Sequence, residues 1–78
     1  MKENLEYLIK QVMSDILNLS PDSITDDTSV DNTESWDSAN HIQLVIALEE
    51  EFSISFDPSE FEAMLSYLDV LQMVQSKL

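Results

Sequence analysis

The sequence predicts an all-α fold of four helices, with a long loop after the first helix and a short third helix. Three observations carry that prediction. Apolar residues recur at i, i+3, i+4 and i+7 through most of the chain. The breaks between these runs hold residues that cap helices. No strand-like alternation extends beyond "SISF" at 53–56. The 78 residues are expected to form one domain, 1–78. A fold of this size hides only about 60% of the surface its unfolded chain exposes. With no cysteine, a disulfide framework and thiolate metal sites are excluded, so helix packing must supply the stability. The lack of cysteine also agrees with a reducing compartment.

The first helix is expected from Glu3 to about Asn18, with Leu5, Leu8, Ile9, Val12, Met13, Ile16 and Leu17 on its apolar stripe. "LSPDSITDDTSVDNTESW" then interrupts the pattern with Pro21, five acids and many Ser, Thr and Asn residues that bond to nearby backbone. Loops of about 18 residues in compact domains tend to be functional. Ile24 and Val30, the isolated apolar residues within it, are expected to pin it to the core.

The second helix is expected from Asp37 or Ser38 to Phe52, burying Leu44, Val45, Leu48 and Phe52. Asp57 as N-cap, Pro58 at the first helical position and Glu60 completing a capping box start the third helix. Ser66 caps the fourth, with Asp69 three residues on and a stripe of Leu68, Leu71, Val74 and Leu78. The chain has no glycine, so helix ends must close on Asn or Ser, or fray.

Sixteen acidic residues oppose three lysines and no arginine, a net charge of −13. Such a field repels nucleic acid and anionic membranes, both bound chiefly through Lys and Arg, and attracts basic protein surfaces. Disorder, the common fate of so acidic a chain, is opposed by 44% hydrophobic residues at helical spacing. "MKENLEYLIK" scatters charge where a secretory leader is apolar, and no apolar run reaches membrane-spanning length. A soluble, cytoplasmic monomer is the expectation.

The start of the second helix, "SWDSANHIQL", concentrates the remaining signals. Asp37 and Ser38 read either as ordinary N-caps or as an anion site, because free N–H groups and the positive end of the helix dipole meet there. Ile42 and Ile46 flank the buried stripe and either widen a thin core or form a second contact surface. Glu49, Glu50 and Glu51 crowd the C-terminal end, where negative charge opposes the dipole. Asp37, Ser38 and His41 contain the residue types of a hydrolase triad, but no glycine-bearing turn is available to build an oxyanion hole, and His41 reads as solvent-facing. A calcium loop in "DDTSVDNTESWDS" fails because no register offers both the glycine and the bidentate glutamate that EF-hands use. No metal site and no catalytic residue is therefore assigned.

"WDSANHIQLVIALEEEFSISF" resembles the signature of the acyl carrier protein family: an Asp-Ser pair opening the second helix, then "ALEEEF" and a short hydrophobic return. The likeness covers nearly the whole chain and implies a four-helix acyl-carrier-like bundle without catalytic activity. It implies that Ser38 bears a 4′-phosphopantetheine arm derived from coenzyme A, holding acyl groups as thioesters. Asp37 resembles the motif aspartate that assists arm transfer by a phosphopantetheinyl transferase. Ile42, Gln43, Ile46, Glu49 and Glu50 match positions that face basic-surfaced acyl-transfer, synthase or ligase enzymes. Leu48, Phe52 and Ile54 match the lining of an acyl cavity. The pathways implied are fatty-acid, polyketide or related lipid biosynthesis. Ala39 and Gln43 depart from the family's usual large apolar residue and acid, and point to a specialised member. An aminoacyl or peptidyl carrier, and an unmodified acidic docking module, are the alternatives.

Overall fold

A computed structural model describes residues 2–78, and α1 covers Lys2–Leu17. Ile9, Met13 and Leu17 are wholly buried on one face, whereas Leu8, expected on that stripe, is exposed. Three side chains per two turns suffice to seat the helix, and Leu8 lies at the edge of that face. Asn18 closes α1 in the left-handed region at φ 58°, and Leu19 N–H donates to Ser14 O at 3.1 Å.

The loop that follows is ordered by its own polar side chains. Ser20 caps a 3₁₀ turn at Pro21–Ser23. Asn32 accepts from Ser29 N–H at 2.9 Å and donates to Asp27 O at 2.7 Å. Val30 N–H donates to Leu65 O, and Tyr67 N–H to Thr28 O, each at 2.9 Å, so the loop is stitched to the segment that starts the last helix. Ile24 is buried and Val30 packs against the core, as their isolation in a polar stretch predicts.

α2 (Ser38–Phe52), α3 (Pro58–Ala63) and α4 (Tyr67–Lys77) complete the element order. Leu44, Val45 and Leu48 carry α2 into the core, and Phe52 packs at its edge. Ser53, at φ 56°, ends α2 as Asn18 ends α1, with Ile54 N–H donating to Glu49 O at 3.1 Å. Both closures place a polar residue where glycine is usual, at the steric cost of a left-handed Cβ. The capping box of α3 has both its bonds, Glu60 N–H to Asp57 Oδ1 and Asp57 N–H to Glu60 Oε1, at 2.9 Å each.

The stripe expected on α4 is corrected. Tyr67, Val70, Leu71 and Val74 are buried, while Leu68 and Leu78 are exposed. The bond from Tyr67 N–H to Thr28 O fixes how α4 enters and turns Tyr67, not Leu68, inward, and Leu78 lies past the last helical residue. Among the described residues no helix is long and apolar enough to cross a membrane.

Candidate functional site

The first turn of α2 is locked from three sides. Asp37 is the N-cap, and its Oδ1 accepts from Asn40 N–H at 2.9 Å. Asn40 Nδ2–H donates back to Ser35 O at 2.8 Å, and Trp36 Nε1–H donates to His41 Nδ1 at 3.0 Å. Two consecutive residues of the helix thus hold two consecutive residues of the loop five positions earlier. Ser38 occupies the first helical position with an exposed side chain, on a backbone this network makes rigid. The opening N–H groups of a helix lack partners within it, and the dipole adds positive potential there.

His41 is not solvent-facing. It is half-buried, its Nε2 lies 2.8 Å from Phe61 O, and its ring meets the Phe61 ring edge-on at 4.6 Å between centroids. An indole N–H can only donate and a carbonyl can only accept. Nδ1 therefore carries the lone pair and Nε2 the proton. With both nitrogens engaged, His41 has none to offer the Ser38 hydroxyl, and the hydrolase arrangement is ruled out. Trp36, only 3% exposed, belongs to the core and ties the loop to α2, while His41 ties α2 to α3.

Beside Ser38 lies a groove of about 450 Å³, bounded by Val30 and Trp36 from the loop, His41 and Ile42 from α2, and Phe61 and Leu65 from α3 and its exit. Ile42 and Phe61 also border a second groove of about 390 Å³ that runs along Ile46 and Glu49 toward Pro58. Ile42 and Ile46 are 48% and 45% exposed, so both stand outside the core. Gln43 and Glu50 are exposed, whereas Glu49 is half-buried and its Oε2 accepts from Phe56 N–H at 2.8 Å. That bond gives Glu49 a local role, fastening the α2–α3 connection, which offsets its unfavourable place at a helix C-terminus.

Leu48 is sealed in the core, and Phe52 and Ile54 pack against it, at the opposite end of α2 from Ser38. The groove at Ser38 is lined by other side chains, of which Trp36, His41 and Phe61 were not among the residues expected to form a site. The sequence signal for Trp36 and His41 was their five-residue spacing across a helix start. Phe61, twenty residues from His41, left none.

The family model described as "Phosphopantetheine attachment site" matches residues 8–75. An acyl carrier protein of Sulfurovum sp. (strain NBC37-1) is 31% identical over 68 residues, spanning 87% of this chain and 91% of that protein. Proteins of the same name from Thermosynechococcus vestitus and from Buchnera aphidicola subsp. Schizaphis graminum are 29% identical over 69 residues and 30% identical over 74. The former match spans 88% of this chain and 85% of the relative, the latter 95% and 94%.

Proposed function

The chain belongs to the acyl carrier protein family, whose members are carriers that bear 4′-phosphopantetheine, and on that premise we propose that Ser38 is the residue that holds the arm. The observation that carries this reading is an exposed serine hydroxyl at the first position of a rigidly capped helix, with an apolar groove opening beside it. The residues fit the group. Unpaired N–H groups and the helix dipole favour a phosphodiester at Ser38. The groove, at about 450 Å³, lies within the range of small-molecule sites. When bound, the arm supplies a thiol that holds a carboxylic acid as a thioester.

This chain's residues supply position and recognition. Asp37 fixes the backbone that presents Ser38 through its Oδ1 bond to Asn40 N–H, and as an exposed carboxylate it is available to the transferase's metal-bound nucleotide. Ile42 and Ile46 offer apolar contact beside Gln43 and Glu50, with Glu49 at the edge, a surface suited to a basic groove on a partner enzyme. Partner enzymes of this family load, extend and release the cargo, and the tether raises its effective concentration at their active sites. The proposed cargo is an acyl group of fatty-acid, polyketide or related lipid biosynthesis.

Incubation with coenzyme A and a phosphopantetheinyl transferase tests the reading. Intact mass is expected to rise by one phosphopantetheinyl group in the parent and to stay unchanged in Ser38→Ala. An unmodified parent, under conditions in which the same transferase loads another carrier, would refute it.

A further inference from the structure

We propose that His41, in its neutral form, is a positioning residue for attachment of the arm, and that taking up a proton makes it release the turn that presents Ser38. The inference deepens the reading of Ser38 as the attachment residue and rests on it.

The clasp around His41 admits one protonation state. The Trp36 indole donates its Nε1–H to His41 Nδ1 at 3.0 Å, and His41 Nε2 faces Phe61 O at 2.8 Å. An indole N–H cannot accept, and an imidazolium carries a proton on each nitrogen. Protonation therefore sets N–H against N–H on the Trp36 side and leaves the Phe61 side as it was. The bond to the loop is the one that a proton breaks. Trp36 is 3% exposed, so water does not replace the lost acceptor unless the ring moves.

The charges around His41 are acidic, and they decide where the released imidazolium goes. On α2, Asp37 is the one acid among the side chains lining the groove, and it stands four residues before His41, the spacing at which an acid and a following base meet on a helix. Glu49, further along α2, is committed to Phe56 N–H. On the loop, Glu34 is exposed and borders a different groove. On α3, Glu62 borders the adjoining groove beside Phe61, and Glu60 is spent on Asp57 N–H and Lys77. On α4, Asp69 Oδ2 accepts from Leu65 N–H at 3.3 Å. Asp37 is thus the partner within the groove, and it is also the cap of α2, with its Oδ1 holding Asn40 N–H at 2.9 Å. One proton draws on both fastenings of the Ser38 turn, the Trp36 bond that seats the loop and the Asp37 bond that caps the helix.

The released state is the one that binds the additional proton, so falling pH favours it and rising pH restores the clasp. Imidazole is the side chain that ordinarily titrates between about pH 5 and about pH 8. Ser38 is therefore held in fixed geometry at the alkaline end of that range and loosened at the acid end.

The test has two readouts on the full chain. In the unloaded protein, the His41 ring nitrogens and the Trp36 indole N–H are followed by nuclear magnetic resonance from about pH 8 to about pH 5. The Nε2–H tautomer is expected at the alkaline end, and the indole N–H signal should move in step with protonation of His41. Loading of Ser38 from coenzyme A by a phosphopantetheinyl transferase is then measured over the same range and divided by that of His41→Gln, which cancels the transferase's own pH profile. Glutamine offers Trp36 an acceptor and Phe61 O a donor without a titrating group. The ratio is expected to fall several-fold toward acid, in the window of the indole signal. In Trp36→Phe, which removes the opposing donor, loading relative to His41→Gln should show no such fall. A His41 that titrates while the indole signal and the loading ratio stay level would overturn the positioning role. A His41 that does not titrate in this range would overturn the proton dependence. Failure of both parent and His41→Gln to load at any pH would overturn the reading of Ser38 beneath it, and the positioning role with it.

Discussion

Trp36 and His41 show how much of this site depends on single atoms. The indole N–H is buried and has one partner, the imidazole Nδ1, whose other nitrogen holds the carbonyl of Phe61. Removing the buried donor leaves the half-buried imidazole Nδ1 without its partner, at a cost of about 1–3 kcal/mol. Trp36→Phe keeps an aromatic ring but removes that donor, so it is expected to lower unfolding free energy by about 1–3 kcal/mol in urea. A change below about 0.5 kcal/mol, the range of ordinary surface substitutions, would show that the bond does not matter. The placement of the chain's one tryptophan beside Asp37 and Ser38 thus has a structural reason, which is to fasten the loop to the turn that presents Ser38. The sequence could not reveal this about His41, since its partner Phe61 lies on α3 and no local pattern links the two.

Among the elements, α3 is the most dependent on its ends. It has six residues and none is buried, so its capping box and the ion pair from Lys77 Nζ to Glu60 Oε1 at 2.6 Å carry unusual weight. The Glu60 N–H and the Ser59 hydroxyl hold the Asp57 carboxyl below its ordinary 3.8, and Lys77 followed by the Asp57 N–H holds Glu60 below 4.5. For both acids the folded value is the depressed one. Their contribution is present above the ordinary values and is lost as pH falls through the lower, folded ones. The urea midpoint of the parent should therefore respond more steeply to acid, from about pH 5 to about pH 3, than that of Asp57→Asn/Glu60→Gln. Parallel curves would contradict the assignment. These caps were legible in sequence because a capping box is a pattern of four adjacent positions. The buried face of α4 was not. Leu71 and Val74 suit either of two overlapping stripes, and the choice between Leu68 and Tyr67 is made by a bond to Thr28 in a distant loop.

Across the whole molecule, a charge of −13 is confined within a radius of gyration of 11.2 Å. Two of the three lysines are engaged with neighbours, Lys77 with Glu60 and Phe56, and Lys10 over the Tyr67 ring at 5.3 Å. Sixteen acids outnumber the three lysines in the chain. At about 0.1 M salt the screening length is about 10 Å, comparable to the molecule itself, so added salt should relieve repulsion throughout the fold. The melting temperature is expected to rise with sodium chloride, by about 4–8 °C for each kcal/mol of repulsion removed. An unchanged melting temperature would show that self-repulsion does not limit this fold. The same field attracts basic surfaces and accelerates encounter with them, as the docking face proposed on α2 requires. The most direct test of the account is tandem mass spectrometry of the peptide spanning Ser35 and Ser38, after loading from coenzyme A. The account predicts the phosphopantetheinyl mass on Ser38 and an unmodified Ser35. The arm on any other residue would contradict it.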